Sequence, residues 1–138
     1  MQRLKITAGP FEFTARMEEE RASKTCAAFR RMLTYESKVV HVRWSGEGCW
    51  IPMGDMETGL DFENHSSHPY PGQILWYPGG FSETEILIPY GGCRFASVVG
   101  TLAANHFLTI EEGIEKLPEL GKLTLWEGAQ DIVFSEIA

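Results

Sequence analysis

KVVHVRWSGEGCWIP, residues 38–52, is the stretch on which the reading of this chain turns. Its first half alternates: Val40, Val42 and Trp44 share one face of an extended strand, while Val39, His41 and Arg43 share the other. Gly46 and Gly48 interrupt the run, and Trp50 to Pro52 resume it as a second strand. With the Val40 face turned to the core, Arg43 points outward. TEILIPY, residues 84–90, sorts in the same way, with Ile86, Ile88 and Tyr90 inward and Glu85 and Leu87 outward. Two strands therefore present a polar group beside an apolar one on their outer faces. Solvated charges or a cross-strand ion pair satisfy this pattern as well as a ligand site does.

Working outward, FEFTARM (11–17) alternates with period 2 and predicts a half-buried strand, paired with RLKI through a short turn at Gly9-Pro10. RASKTCAAFRRML (21–33) changes period: Ala22, Cys26, Phe29 and Leu33 form a helical stripe, with Ser23 as the expected N-cap. A second helix is predicted after Thr109. There TIEE reads as a capping box closed by Glu112, Ile110, Ile114 and Leu117 supply the stripe, Lys116 favours the negative end, and Pro118 ends or kinks it. Further short strands are expected around Ile74 to Tyr77, Arg94 to Val99, His106 to Leu108 and Asp131 to Ile137, with YPGG (77–80) as a type II turn. Many short strands with two helices predict a mainly β fold, a small closed β-barrel whose ends the helices cover.

The 138 residues suit a single domain spanning 1–138, since a chain of this length buries about two-thirds of its unfolded surface in one core. A net charge of -7, with Lys and Arg scattered, excludes a phosphate-tracking surface for nucleic acid. The opening residues lack the apolar core of a signal peptide and no run approaches a membrane span, so a cytoplasmic location is expected. Cys26, Cys49 and Cys93 are odd in number and widely spaced, which fits reduced thiols and neither a disulfide framework nor a metal clip.

DFENHSSHP (61–69) gathers Asp61, Glu63, His65 and His68, but an HxxH outside a helix does not set both imidazoles on one side. It reads as a solvated loop, and neither a metal nor another cofactor is expected. His41, on the face of Arg43, reads as a surface residue before a general base, and Cys49 as an inert thiol before a nucleophile. Trp44 and Trp76 follow core periodicity. Trp126, in LTLWEGA, reads as cover for a barrel opening or for a second copy of the chain, which leaves homo-oligomerisation open.

Several of these pieces, taken in order, resemble cyclophilins. ERASKTCAAFRRML resembles the segment in which a strand leads into Ala-Pro-Lys-Thr and a helix, with Ser23 in place of the proline; HVRW resembles Phe-His-Arg-Val, CWIPMGD resembles Phe-Met-Ile-Gln-Gly-Gly-Asp, and NHFLTIEEGIEKL resembles a His-led strand followed by a helix. The order HVRWSGE, WIPMGD, GFSETEILIPYG, FASVVG, NHFLTI is more similar still to a bacterial family of uncharacterised proteins with a cyclophilin-like fold. The resemblance implies a cyclophilin-like barrel with its groove on the outside. Residue by residue it aligns Arg43 with the catalytic arginine through a one-residue insertion, sets Pro52 at the first glutamine, Glu85 at the second, Leu87 at a pocket phenylalanine and His106 at the pocket histidine. The tryptophan expected before that histidine has no counterpart in TLAANHF.

Losing the amide donors and aromatic walls makes efficient prolyl isomerisation an unfavoured expectation. The groove is instead expected to hold a small carboxylate, amide or peptide-like ligand. Arg43 offers its planar fork, Trp50 and Leu87 an apolar wall, and Glu85 and His106 groups that orient the ligand or exchange protons. Two alternatives stay open: a peptidyl-prolyl isomerase, and a structural or interaction subunit without a ligand.

Overall fold

A computed structural model describes residues 2–137. Eleven strands form: β1 (Arg3–Ala8), β2 (Phe11–Met17), β3 (Tyr35–His41), β4 (Gly46–Pro52), β5 (His65–Ser66), β6 (Gln73–Tyr77), β7 (Glu85–Cys93), β8 (Ala96–Ser97), β9 (Gly100–Thr101), β10 (Ala104–Glu112) and β11 (Gln130–Glu136); the helices are α1 (Ser23–Arg30) and α2 (Leu117–Glu127). Eight strands run in the order β2-β1-β11-β3-β4-β7-β6-β10, and a β10–β2 pairing closes the circle into an antiparallel barrel. Strand β5 adds a short rung to β10, while β8 and β9 form a separate small hairpin. No helix among the described residues is long and apolar enough to cross a membrane.

The expected hairpin at Gly9 forms, and its alternation fills the barrel: Leu4, Ile6 and Ala8 of β1 and Phe13, Ala15 and Met17 of β2 are all buried. Helix α1 stops one end with Cys26 and Phe29 of the predicted stripe; Ala22 takes the N-cap position and Leu33 lies beyond the last turn. Phe29 lies at the centre, with the rings of Phe107 and Phe134 at 5.1 Å and those of Tyr35 and Trp76 at 5.8 Å, all steeply inclined to it. These edge-to-face geometries suit the ring quadrupoles. Ser23 begins the helix as its first residue and does not cap it, because the residue before it, Ala22, occupies the N-cap position. One orphan donor is met from a distant loop: Glu63 Oε1 accepts hydrogen bonds from the Thr25 amide (2.5 Å) and from the Thr25 hydroxyl (2.7 Å), and Asn105 braces both residues.

Helix α2 corrects the sequence reading. TIEE is the end of strand β10, where Thr109, Ile110 and Glu112 pair with Arg16, Ala15 and Thr14 of β2. The chain then turns at Gly113 (φ +90), where a side chain would come within 2.7 Å of the Glu12 carbonyl, and passes through a 3-10 turn before α2 begins. Pro118 opens the helix rather than ending it, since a missing N–H costs nothing in a first turn. Leu117, Leu120, Gly121 and Thr124 cover the second barrel opening, with Gly121 against the Tyr90 ring, and leave Trp126 exposed.

Strand β3 has the opposite phase to that expected. Val39 is in the barrel core and His41 bonds Tyr90 Oη at 2.7 Å, whereas Val40 pairs with Trp50 and Val42 packs in a second cluster on the outside. The strand ends at His41, so Arg43 and Trp44 lie on a bend, and Trp44 is 56% exposed rather than buried. Apolar side chains occupy both faces because both are covered. Leu75, Tyr77, Leu87, Phe95, Leu102 and Ala104 form this outer cluster, over which the chain from Arg94 to Leu102 is folded. The predicted strand over 94–99 is thus only the hairpin β8–β9 and its approach.

Candidate functional site

The outer cluster sets the site. Antiparallel register lines up Trp50 of β4, Leu87 of β7, Leu75 of β6 and His106 of β10 in one row across neighbouring strands, and one step along lie Pro52, Glu85 and Tyr77. Phe95 and Leu102 pack over Leu75 and Leu87 of the first row. Leu87 is consequently 0% exposed: it supports the site from beneath and does not line it. Beyond the edge of this cover a cavity of about 160 Å³ remains open, bordered by Arg43, Trp50, Glu83, Glu85, Ser97 and Val98 among others.

Three predicted residues, Arg43, Trp50 and Glu85, therefore border one cavity. Their walls are tied together by hydrogen bonds. Ser45, in the bend that carries Arg43, donates from Oγ to the Ala96 carbonyl (3.2 Å) and accepts from the Ala96 amide (3.0 Å), while its carbonyl accepts from the Arg94 amide (2.9 Å). Tyr77 Oη accepts from the amides of Phe81 and Ser82 (3.2 and 3.1 Å), which holds the facing loop. Glu83 accepts from the Gly54 amide at 3.1 Å.

Glu85 is the chemically unusual group. It is only 7% exposed, yet its carboxyl has neither a hydrogen-bond nor an ion-pair partner among the described residues. Arg43 does not approach it within ion-pair distance, so the two do not form the cross-strand pair that the alternation also permitted. Burial, aided by the negative charge of Glu83, pushes the Glu85 carboxyl up to about 8. Near neutrality it is mostly the uncharged acid, able both to donate and to accept a hydrogen bond.

His106 keeps its place in the row but belongs to a different environment. Its Nε2 is 2.7 Å from Thr109 Oγ1, which donates to Glu18 Oε2 at 2.5 Å, and burial lowers the imidazole's proton affinity against the opposing pull of Glu18. It does not border the cavity of Arg43 and Glu85. Cys49 points into the barrel against Thr124 Oγ1 (3.4 Å), and burial pushes its thiol up to about 11, as it does for Cys93. Neither thiol is an activated nucleophile. In DFENHSSHP, Glu63 is used by helix α1 and His65 stacks on Phe62 at 4.8 Å; among the described residues no three His, Cys, Asp or Glu side chains are grouped to hold a metal.

Ser45, Glu83, Ser97 and Val98 were not read from the sequence as site residues. FASVVG carries the one available signal, a buried aromatic followed by an apolar turn, which fits a flap that packs at its base and exposes its tip.

The fold recurs in solved structures. McbB, solved in complex with tryptophan, matches over 96% of this chain with a TM-score of 0.71 and 17% identity; this chain spans only 44% of that one. The solution structure of the hypothetical protein AF2241 from Archaeoglobus fulgidus matches over 99% of this chain and 95% of its own, with a TM-score of 0.65 and 17% identity. At such identities the likeness is one of fold. No curated protein matches the sequence. The description of a protein family of unknown function, DUF3830, matches residues 4–136, so that the chain belongs to the DUF3830 family.

Proposed function

We propose that the cavity between Arg43 and Glu85 binds a small carboxylate, amide or peptide-like ligand. One observation carries this reading: Glu85 is a largely buried carboxyl without a protein partner, at the edge of a cavity that Arg43 also borders. Its oxygens reach the cavity, where water meets them in the free protein and a ligand group that bonds them better takes that water's place. The bend that carries Arg43 is tied to Ala96 through Ser45, and the exposed guanidinium offers the planar fork that suits a carboxylate or carbonyl. Trp50 and Val98 add apolar surface. That a barrel of this kind occurs in McbB, solved with tryptophan, supports the amino-acid end of the ligand range.

Prolyl isomerisation is less well supported even on a cyclophilin-like reading of the barrel. Phe95 and Leu102 occupy the space above Leu87, and His106 stands apart, so the proline ring has no open aromatic pocket. Three free cysteines, two of them buried, favour a reducing compartment and hence the cytoplasm.

A thermal-shift screen of wild type and Arg43→Ala against small carboxylates, amides and proline peptides tests the proposal. A ligand at about 100 times its dissociation constant stabilises by about 2.7 kcal/mol. The expected result is a shift in the wild type that Arg43→Ala loses. Equal shifts in both proteins, or none across the screen, would refute the site.

A further inference from the structure

We propose, resting on the ligand cavity described above, that its ligand is a zwitterion whose ammonium group meets Glu85 and whose carboxylate meets Arg43. The cavity is electrically asymmetric. Glu85 and Glu83 lie on one side, on β7 and the loop leading into it, and Arg43 lies on the bend after β3. A simple carboxylate would pair with Arg43 and take at most one hydrogen bond from the neutral Glu85, with no charge to set against Glu83; a simple amine would meet the acids and leave the guanidinium unused. A molecule carrying both charges, as an α-amino acid or the end of a short peptide does, uses both sides.

Size narrows the class further. About 160 Å³ is close to the volume of an engineered cavity of roughly 150 Å³ that admits benzene, and is well below the several hundred Å³ of a drug-sized site. The cavity holds one small group, while the apolar remainder of the ligand lies along Trp50 and the exposed Trp44 and Val98 at the rim. An amino acid with an apolar side chain has these proportions.

Binding is then coupled to a proton. In the free protein Glu85 is largely the neutral acid; facing an ammonium ion it becomes a carboxylate, its proton passes to solvent, and the ligand keeps all of its own. The groups that bear on Glu85 are few: Glu83 from the preceding loop, Tyr77 as its register partner on β6, Arg43 from the bend, and on β4 the untitratable Pro52. Glu85 therefore releases close to one proton per ligand near pH 7.

Titration calorimetry of the full chain near pH 7, in two buffers of different ionisation enthalpy, tests this with three matched probes: L-phenylalanine, 3-phenylpropionate, which lacks the amine, and phenethylamine, which lacks the carboxylate. Phenylalanine is expected to bind at least about tenfold more tightly than either partial probe, a gap of about 1.4 kcal/mol, and to release close to one proton. Glu85→Gln is expected to abolish the proton release, and Arg43→Ala to equalise phenylalanine and phenethylamine. If 3-phenylpropionate binds as tightly as phenylalanine, and Arg43→Ala weakens both alike, the zwitterion is refuted while the cavity stands. If none of the probes binds but amides in the thermal screen do, the zwitterion is again refuted and the cavity is retained. If neither experiment detects a ligand, both proposals fall.

Discussion

Glu85→Gln is expected to stabilise the protein, and to do so most under alkaline conditions. In the unfolded chain this carboxyl ionises near 4.5, whereas in the folded barrel burial holds its proton until about 8. Between those values the folded state binds one more proton than the unfolded state, so stability falls as pH rises through the window and levels off above it. Glu85 is 7% exposed but borders the open cavity, where water tempers the effect, so the total loss is at most on the order of 4 kcal/mol. Glutamine keeps the shape and cannot ionise. Melting curves of the two proteins should nearly coincide at about pH 5 and separate progressively towards pH 9, with the variant higher by on the order of 10 °C there. Parallel curves across the range would show that Glu85 is hydrated or paired, and the ligand reading would lose its main support. A protein that tolerates so destabilising a group, with no partner of its own to offer it, resembles many sites in which function is maintained against stability.

Phe29→Ala carries the largest expected cost in the core. The side chain is fully buried and its ring meets four others, from strand β3, strand β6, strand β10 and strand β11. Truncation removes the transfer free energy of the ring, leaves a void that the rigid barrel wall cannot close, and breaks the edge-to-face pairs. A loss of about 3–5 kcal/mol is expected, read as a lower denaturant midpoint with an unchanged slope. A loss below about 1 kcal/mol would mean that helix α1 is not the stopper that holds this end of the barrel together.

Much of the barrel was legible because its inner face follows simple alternation. In β2 and β7 the faces fall as the alternation reads them, with Phe13, Ala15, Met17, Ile86 and Ile88 in the barrel and Glu85 and Leu87 outside it. Alternation failed where both faces are buried. Val39, Val40 and Val42 are all apolar, and nothing within the strand says which belongs to the barrel and which to the outer cluster; that depends on Phe95 and Leu102, more than fifty residues away in the chain. The TIEE segment failed for a related reason. Its composition caps a helix in isolation, but pairing with β2 supplies the backbone with partners that a local motif cannot outbid.

The site was legible in its residue types more than in its geometry. Arg43 and Glu85 are expected on outward faces of different strands and do border one cavity, although Arg43 reaches it from a bend and not from a strand. Leu87 and His106 share a row with Trp50 in register, but the flap buries one and Thr109 and Glu18 engage the other. Pairing distance along a sheet is a local property; accessibility depends on whatever the rest of the chain folds over it. Glu63 shows the same limit. It was weighed with its neighbours as a metal ligand and serves instead to cap α1 across a long sequence separation.

The most direct measurement is an NMR titration of the Glu85 side-chain carboxyl in the free protein and with L-phenylalanine present. The expected midpoint is near 8 without ligand, and it should move down when the ammonium group arrives. A midpoint near 4.5 in the free protein, unmoved by the amino acid, would contradict both the buried, unpartnered state of Glu85 and the ligand site built upon it.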